Sequence, residues 1–397
     1  MLKSKIRAGR HMDLMHRKTF PKALFLLIVS AFFSVSALIG QDKAETELVV
    51  SKCWSYGIGA AEFVVDGSGF YAGGVEGKIE AISLDGQKLW TTDLGGKLVS
   101  NLLVGNEALY LVTSTPFGGD KGNTGGNTLR VLSKETGIPR TGLRLPEADR
   151  HFLKEFHGSI VVVSSSGVVQ LLDVKDGSTK WRREIAEGFT GDPSFGSDAV
   201  LMASTSNQLF IISLVTGEIR SMRKNDTGTR AAAELSSGEL IIGDGRGSVS
   251  FFPDGNDGVL WRYKAGGAIT ALLPINGHLL VASNDNFIYY LSMPRGGLAW
   301  KKRFAGRVSY YGILETSLAL ISSIEEHGAI FVRLETGKTV GQIVLEANEF
   351  LVANPIFANG QIIVLTNNRV IAYSLNGCAA DKDGGSDQTP APPPQKN

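Results

Sequence analysis

The residues that could carry chemistry are few and scattered. The chain has two cysteines, Cys53 and Cys378, near opposite ends of its 397 residues. Two cysteines make neither a disulfide framework nor a zinc site, although in an oxidising compartment they are able to pair. The histidines beyond the N-terminal segment are His151, His157, His278 and His327. None has metal-ligand spacing, so we expect them at the surface or in turns. We therefore assign no catalytic, cofactor-binding or metal-binding residue.

The five tryptophans could in principle stack on a flat cofactor, but their spacing favours a structural role. Four of them follow a glycine by three or four residues: Trp90, Trp181, Trp261 and Trp300. An aromatic side chain that recurs at one place in a repeat is expected to pack between repeat units. Trp54 falls outside this pattern. We therefore expect four of the five indoles to be committed to packing.

The elements that hold these tryptophans repeat along the chain. Eight turn glycines each follow a short apolar run: Gly86, Gly137, Gly177, Gly217, Gly258, Gly297, Gly337 and Gly377. Successive glycines are 39 to 41 residues apart, except for one interval of 51. A second β-rich pentamer, such as Leu279–Ser283, recurs in phase with them. Each unit divides into four short strands with tight turns, which is typical of a β-propeller blade.

The repeat count predicts an all-β chain, an eight-bladed β-propeller of four-stranded blades. The last unit lacks its outer strand, and the segment Glu47–Ser51 stands before the first unit without a blade of its own. Aligning the first two units places Ser51 level with Trp90. We therefore expect the N-terminal strand to complete the eighth blade and so to remove an open sheet edge.

The pattern of a strand followed by Asp/Thr-Gly-x-x-x-Trp resembles the pyrroloquinoline-quinone (PQQ) repeat, the quinoprotein alcohol dehydrogenase-like β-propeller family. The closest stretches are 77–90 and 167–181, and the resemblance covers residues 47–377. The family includes quinoprotein dehydrogenases and non-enzymatic proteins, of which the BamB-like branch matches this chain in size and blade count. The chain differs from that branch in lacking its lipid-attachment cysteine.

Three functions are considered on the basis of this resemblance, and the residues present favour one of them. Quinoprotein dehydrogenases carry adjacent cysteines over the cofactor, together with calcium ligands and an aspartate base. No such set is present here. We therefore expect no PQQ, no other cofactor and no enzyme activity, and we predict a protein-binding scaffold of the bacterial envelope similar to BamB. The alternatives are a PQQ-dependent dehydrogenase and a propeller that binds a small molecule or glycan in its central funnel.

The N-terminus predicts export. Residues 1–40 contain a basic region up to Lys22 and an uncharged apolar run over 23–38, as in a secretory signal peptide. An uncleaved membrane anchor is the alternative. The body beyond residue 40 has 33 basic and 38 acidic residues, a net charge of −5. It therefore lacks the basic surface that nucleic acid needs. We expect a monomer in the periplasm or outside the cell, with envelope proteins as partners.

Domain boundaries follow from these features. We predict a signal peptide at 1–40, a linker at 41–46, the propeller at 47–377 and a disordered Pro-rich tail at 378–397. The long interval of 51 residues reflects an insert at 118–127 in the second unit. With the unusual segment 146–152, this insert marks blades 2 and 3 as the expected partner site, because an insertion adds nothing to the core. A neutral loop is the alternative.

The cysteines flank the predicted closing strand. The alignment puts Cys53 six positions from Cys378 along a strand, or about 20 Å at 3.3 Å per residue. A disulfide permits only about 7 Å between Cα atoms. Pairing of Cys53 with Cys378 therefore requires that the tail run back along the closing strand, or that the register differ from this alignment.

Overall fold

The computed structural model describes residues 47–115, 125–255, 258–314 and 317–378. These residues form strands joined by turns, without a helix. No described segment is a helix of the length and apolarity needed to cross a membrane. The predicted signal peptide, linker and tail after Cys378 lie outside the described residues.

The strands of the described residues assemble into eight antiparallel sheets, the blades of a closed ring. Blades 1 to 4 comprise, from the inner to the outer strand, Glu62–Val65, Phe70–Gly73, Lys78–Ile82 and Lys88–Asp93; Lys97–Leu98 with Leu103–Val104, Ala108–Thr115, Gly126–Ser133 and Pro139–Arg144; His151–Phe156, Ser159–Ser164, Val168–Asp173 and Thr179–Glu184; and Phe189–Phe195, Ala199–Ser204, Gln208–Ser213 and Ile219–Lys224. Blades 5 to 8 comprise Thr229–Glu234, Leu240–Asp244, Ser248–Phe252 and Trp261–Lys264; Ile269–Ile275, His278–Ser283, Phe287–Ser292 and Gly297–Arg303; Val308–Leu314, Leu318–Ser323, Gly328–Arg333 and Thr339–Val344; and Ile356–Ala358, Gln361–Leu365, Arg369–Ser374 and Ser51–Gly57. The predicted eight-bladed propeller is confirmed, with the inner strand of blade 2 divided in two.

The core lies between the blades. The two middle strands of each blade are almost continuously apolar, as in the buried run Ser159–Ser164, because both of their faces are covered. The outer strands alternate instead, as in Thr179–Glu184. Eight clusters of buried side chains result, and each is shared by two neighbouring blades around the full circle. The ring is thus held by its eight seams.

The N-terminal strand closes the ring, but with a register different from the predicted one. The closing strand is Ser51–Gly57, which pairs with Arg369–Ser374 and places Trp54 opposite Ala372. In blade 1 the residue opposite Ala81 is Trp90. Trp54, rather than Ser51, is therefore level with Trp90. The predicted register is wrong because the spacing before the inner strand differs between the first two blades. By register Val64 of blade 1 corresponds to Leu103 of blade 2, and the distance from Trp54 to Val64 is three residues shorter than the distance from Trp90 to Leu103.

The corrected register brings the two cysteines together. Cys53 lies in a bulge of the closing strand, and the turn after Ser374 carries Cys378 to it. The two form a disulfide with a Cα–Cα distance of 5.2 Å. By register Cys378 corresponds to Gln87 and Cys53 to Leu89, so the predicted separation of about 20 Å is wrong. The bond stands where the other blades have a hairpin turn, and it makes the ring covalently continuous.

Candidate functional site

The tryptophans are packed at the seams, and none of the five faces the centre of the ring. Each indole lies on a glycine in the hairpin turn of the next blade: Trp54 on Gly86, Trp90 on Gly137, Trp181 on Gly217, Trp261 on Gly296 and Trp300 on Gly337. Each indole N–H also donates to a backbone carbonyl of that turn, for example Trp181 to Leu214 at 3.1 Å. Trp54 was wrongly left outside this pattern, since it serves the seam between blades 8 and 1.

One of the predicted turn glycines is shifted. Gly297 begins the outer strand of blade 6, and Gly296 occupies the turn with a φ of 64°. Six of the predicted turn glycines have φ between 69° and 87°: Gly86, Gly137, Gly177, Gly217, Gly337 and Gly377. Because this region excludes most side chains, glycine is required at the close approach of the indole.

A concave site lies at the ring centre, and we call it the funnel mouth. It has a volume of about 450 Å³ and lies where the chain enters the inner strands of the blades. We call this side of the ring the loop face, and the opposite side, which carries the hairpin turns that receive the tryptophans, the turn face. The funnel mouth is lined by polar side chains from seven blades, including Glu62, Asn101, Arg150, Asp192, Thr270, Tyr310, Tyr311 and Asn354.

An ion pair spans the funnel mouth. Arg150 Nη2, at the start of blade 3, lies 2.8 Å from Glu62 Oε1 of blade 1. The Arg150 guanidinium also lies 5.2 Å from the ring centroid of Phe152, within cation–π range. The pair therefore bridges two blades that are not neighbours. Its arginine is half-exposed, so the pair is accessible from the loop face.

Hydrogen bonds with the backbone hold the loops around this ion pair in place. The peptide N–H of Ser165 donates to the Arg150 carbonyl at 2.9 Å, which holds the loop before blade 3. Asn101 replaces a missing stretch of inner strand in blade 2: its amide accepts from the Leu153 N–H at 2.8 Å and donates to the Leu153 carbonyl at 3.1 Å. On the far side, Asn354 accepts from the Tyr311 N–H at 3.1 Å. The polar groups of the mouth are thus largely occupied in fixing loops.

Burial sets the electrostatics of the funnel mouth. Burial raises the pKa of Glu62 more than Arg150 lowers it, and the carboxylate of Asp192 raises it further. Burial, with a contribution from Asp192, also raises the pKa of Tyr311, and burial together with Glu62 raises that of Tyr310. The tyrosines therefore stay protonated at neutral pH. They are available as hydrogen-bond donors rather than as bases.

The funnel mouth does not fit PQQ. The resemblance implies that PQQ would stack on a tryptophan beside a set of oxygen ligands for calcium, but all five indoles are used at the seams. Among residues 47–115, 125–255, 258–314 and 317–378, no group of three or more His, Cys, Asp or Glu side chains converges to hold a metal ion. Glu62 already faces Arg150. The residues present can bind hydrogen-bonding groups, and no redox step is derived from them.

A second recess lies beside the funnel mouth, on the loop face between blades 2 and 3. This rim recess has a volume of about 520 Å³ and is lined by Thr115, Asn127, Glu147, Asp149 and Ser166 among others. It includes residues 147–149 of the segment 146–152 that the sequence singled out. Of the predicted insert, residues 125–127 are described, and 126 and 127 border the recess, whereas 118–124 lie outside the described residues.

A buried histidine lies beneath the rim recess and is linked to it by hydrogen bonds. His151 is fully buried, so its predicted surface position is wrong. Its Nε2 lies 2.8 Å from Asn127 Nδ2 and its Nδ1 lies 2.9 Å from Ser164 Oγ. The same Asn127 amide donates to the Ala148 carbonyl of the rim at 2.7 Å. Burial lowers the pKa of His151 to about 4, so the ring is neutral at physiological pH.

Part of the loop face was predicted from the sequence, and other residues of the funnel mouth were not. The segment 146–152 supplies Arg150 and Phe152 to the funnel mouth, and its departure from the repeat was the available signal. The contributions of Glu62, Asp192, Tyr310 and Tyr311 were missed, because each is a single polar residue in an inner strand of ordinary composition. Only the ring closure brings these strands together.

Comparison with known proteins now gives a family for the repeat. The family model described as outer membrane protein assembly factor BamB matches residues 50–244. Among solved structures, BamB from Moraxella catarrhalis has a TM-score of 0.63 at 13% identity, and covers 82% of this chain and 98% of its own. The computationally designed Ika8 protein has a TM-score of 0.67 at 13% identity, covering 83% of this chain and 99% of its own. Comparison with curated proteins gives no match.

A third structure shows how general the architecture is. The C-terminal WD40 domain of Sif2 has a TM-score of 0.65 at 10% identity, covering 82% of this chain and 98% of its own. At such identities the structural matches establish the fold alone. Together with the repeat model they confirm the resemblance inferred from the sequence. The chain is a PQQ-repeat β-propeller similar to BamB, a fold that suits protein binding in general.

Proposed function

We propose that this chain, a BamB-like PQQ-repeat propeller, is an exported, non-enzymatic scaffold that binds other proteins of the bacterial envelope through its loop face. The observation that carries the proposal is the family match over residues 50–244, whose description is a factor in outer membrane protein assembly. The signal-peptide pattern of residues 1–40 agrees with it. Export would place the Cys53–Cys378 bond in an oxidising compartment, where such bonds persist.

The chemistry of the loop face supports binding rather than catalysis. Its best-placed charged groups, Arg150 and Glu62, pair with each other. A catalytic group needs a free position toward a substrate and a pKa suited to proton transfer. The rim recess beside them is open, exposed and bordered by an insertion. Insertions on a rigid scaffold are common sites of partner binding.

The test is capture of envelope proteins by the exported, tagged protein. Shortening 118–127 to repeat length is expected to weaken the capture of a specific partner without lowering the melting temperature, since the insert adds nothing to the seams. A matched variant removes the charges of Glu135 and Lys338 on the turn face, and it is expected to leave capture unchanged. Equal capture by all three proteins would remove the rim recess as the partner site.

One observation favours a second candidate. The funnel mouth combines two protonated tyrosines, Tyr310 and Tyr311, with Asp192 and Asn354 around about 450 Å³, a set that suits the hydroxyl groups and ring faces of a glycan. A glycan array probed with the purified protein tests this. Binding that is lost in Tyr311→Phe and Asp192→Asn would establish it, and an array without signal would exclude it.

A further inference from the structure

Three of the eight seams lack the tryptophan. By strand register the indole position holds Thr141 in blade 2, Ser221 in blade 4 and Gly341 in blade 7. At the seam of blades 2 and 3, the structure describes both of the elements that an indole joins elsewhere. They are the outer strand of blade 2, where Thr141 is opposite Val131, and the hairpin turn of blade 3 that contains Gly177. This seam therefore shows what remains when the indole is missing.

A cavity of about 130 Å³ lies at the seam of blades 2 and 3, and we call it the seam cavity. Its lining includes Thr141, at the indole position, and the whole receiving turn from Asp173 to Gly177. Thr141 is exposed, whereas the indoles at the other seams are partly or fully buried. The seam cavity thus lies between the same two elements that an indole joins at five other seams.

A leucine fills only part of the space beside the receiving turn. Leu143, two residues after Thr141, packs on Gly177. At the seam of blades 1 and 2 the corresponding residue is Thr92, which contacts the turn glycine together with Trp90. A leucine side chain covers the glycine, but it has neither the area nor the N–H group of an indole. The volume that remains is the seam cavity.

The walls of the seam cavity are apolar. Leu129 and Val131 of blade 2 and Ile160 and Leu172 of blade 3 are all buried. Tyr110, which is partly buried, adds an aromatic ring to the wall. An apolar cavity of about 150 Å³ inside a protein is known to stay dry and to accept benzene. The seam cavity therefore suits a small planar ring in both size and surface.

The receiving turn also offers a hydrogen-bond acceptor. At four of the indole seams the indole N–H donates to the carbonyl of the first residue after the third strand, as Trp181 does to Leu214. Val174 has this place in blade 3 and lines the seam cavity. No described residue donates to the Val174 carbonyl. A ligand with an N–H group thus finds the kind of acceptor that the chain provides for its own indoles.

The carboxylates of the receiving turn are occupied by bonds within the chain. Asp173 accepts from the N–H of Lys175 at 2.9 Å and lies 3.0 Å from the Lys180 ammonium. Asp176 accepts from the N–H of Ser178 at 2.8 Å. These bonds hold the turn and leave apolar walls and a backbone carbonyl for recognition. An apolar site with one oriented polar group favours an uncharged ligand.

We propose that the seam cavity binds a small, uncharged planar aromatic molecule with an N–H donor, for which indole is the type compound. The ring lies between blades 2 and 3, and its N–H donates to the Val174 carbonyl. The volume matches a single small ring system, so the ligand is a free molecule rather than a side chain of a partner. The seam cavity lies at the turn face. The inference therefore goes beyond the scaffold function proposed for the loop face and does not depend on it.

The experiment is a calorimetric titration of the full chain with indole. We expect a dissociation constant on the order of 100 μM, as is reasonable for a ligand of this size. The compound 3-methylindole keeps the N–H and should bind about as well, whereas 1-methylindole lacks it and should bind about tenfold more weakly or worse. Binding of N-acetyltryptophanamide should be weaker than that of indole. Tighter binding of this compound would overturn the assignment to a free molecule.

Two variants locate the bound indole. Leu143→Thr alone enlarges the cavity and is expected to retain or tighten binding. The same change combined with Thr141→Trp recreates the pair found in blade 1, and it is expected to abolish binding and to melt at a higher temperature than Leu143→Thr. Leu143→Phe fills the cavity by a smaller change and should weaken indole by about tenfold or more. Absence of saturable heat with the native chain, or equal binding by the native chain and the cavity-filling variants, would overturn the inference.

Discussion

Acid should weaken the ring through His151. The Asn127 amide uses one hydrogen on the Ala148 carbonyl and points the other at His151 Nε2, so that nitrogen must accept. The proton of the neutral ring is then on Nδ1, which donates to Ser164 Oγ. A second proton on Nε2 would face a donor in a fully buried site. Burial lowers the pKa of the ring to about 4, and the conflict with the Asn127 amide acts in the same direction.

The sign and size of this pH effect on the free energy of unfolding follow from the two pKa values of His151. The unfolded chain takes up this proton near pH 6.5 and the folded chain only near pH 4, so stability is present above pH 6.5 and is lost as the pH falls toward 4. Linkage gives a loss of about 2.5 kcal/mol between pH 7 and pH 4.5 from this one group. The glutamates with raised pKa, Glu62 and Glu234, shift stability in the opposite direction over the same range.

Urea unfolding at a series of pH values isolates the histidine. The difference in unfolding free energy between the native chain and His151→Gln should shrink by about 2.5 kcal/mol from pH 7 to pH 4.5, because only the native chain pays the buried protonation cost. The control His278→Gln makes the same replacement at a partly exposed ring and measures the effect of a histidine-to-glutamine change outside the buried site. Parallel profiles for His151→Gln and the native chain would refute the assigned burial and hydrogen-bond directions.

The remaining predictions concern the seams, the closure and the cofactor. Trp181→Ala should lower the free energy of unfolding by about 3 kcal/mol, and Trp181→Phe, which mainly removes the hydrogen bond to Leu214, should lower it by about 1 kcal/mol. Equal losses for the two variants in urea titrations would contradict the packing of the indole at the seam. The double variant Cys53→Ser, Cys378→Ser should lower the free energy of unfolding by about 5 kcal/mol, because the disulfide constrains nearly the whole unfolded chain. Native stability in this double variant would show that strand pairing alone closes the ring. Calorimetry with PQQ and calcium should give no saturable heat, and micromolar binding would reverse the assignment of the funnel mouth.

The repeat made the fold predictable. Regular glycine spacing with four short strands per unit leaves few architectures, and the eight glycines gave the blade number directly. Register at the closure was not predictable to the same degree. The alignment assumed the same spacing before the inner strands of blades 1 and 2 and so made Ser51 equivalent to Trp90, whereas blade 2 has an interrupted inner strand with Asn101 as a substitute. A shift of three residues then displaced Cys53 and hid the role of Trp54.

The candidate sites are formed by residues whose positions relative to one another are not determined by the repeat pattern. Glu62, Arg150 and Tyr311 come from three blades and meet only because the ring closes. Local pattern therefore gave the scaffold, and the departures from that pattern gave the surfaces where binding is proposed.

The central claim, a scaffold that holds an envelope protein on its loop face, is tested most directly by site-specific photo-crosslinking in intact cells. One crosslinking amino acid is placed at position 149 in the rim recess, and another at position 135 in a hairpin turn on the turn face. We predict one discrete adduct with an envelope protein from position 149 and none from position 135. Equal adducts from both positions, or none from position 149 in the exported protein, would contradict it.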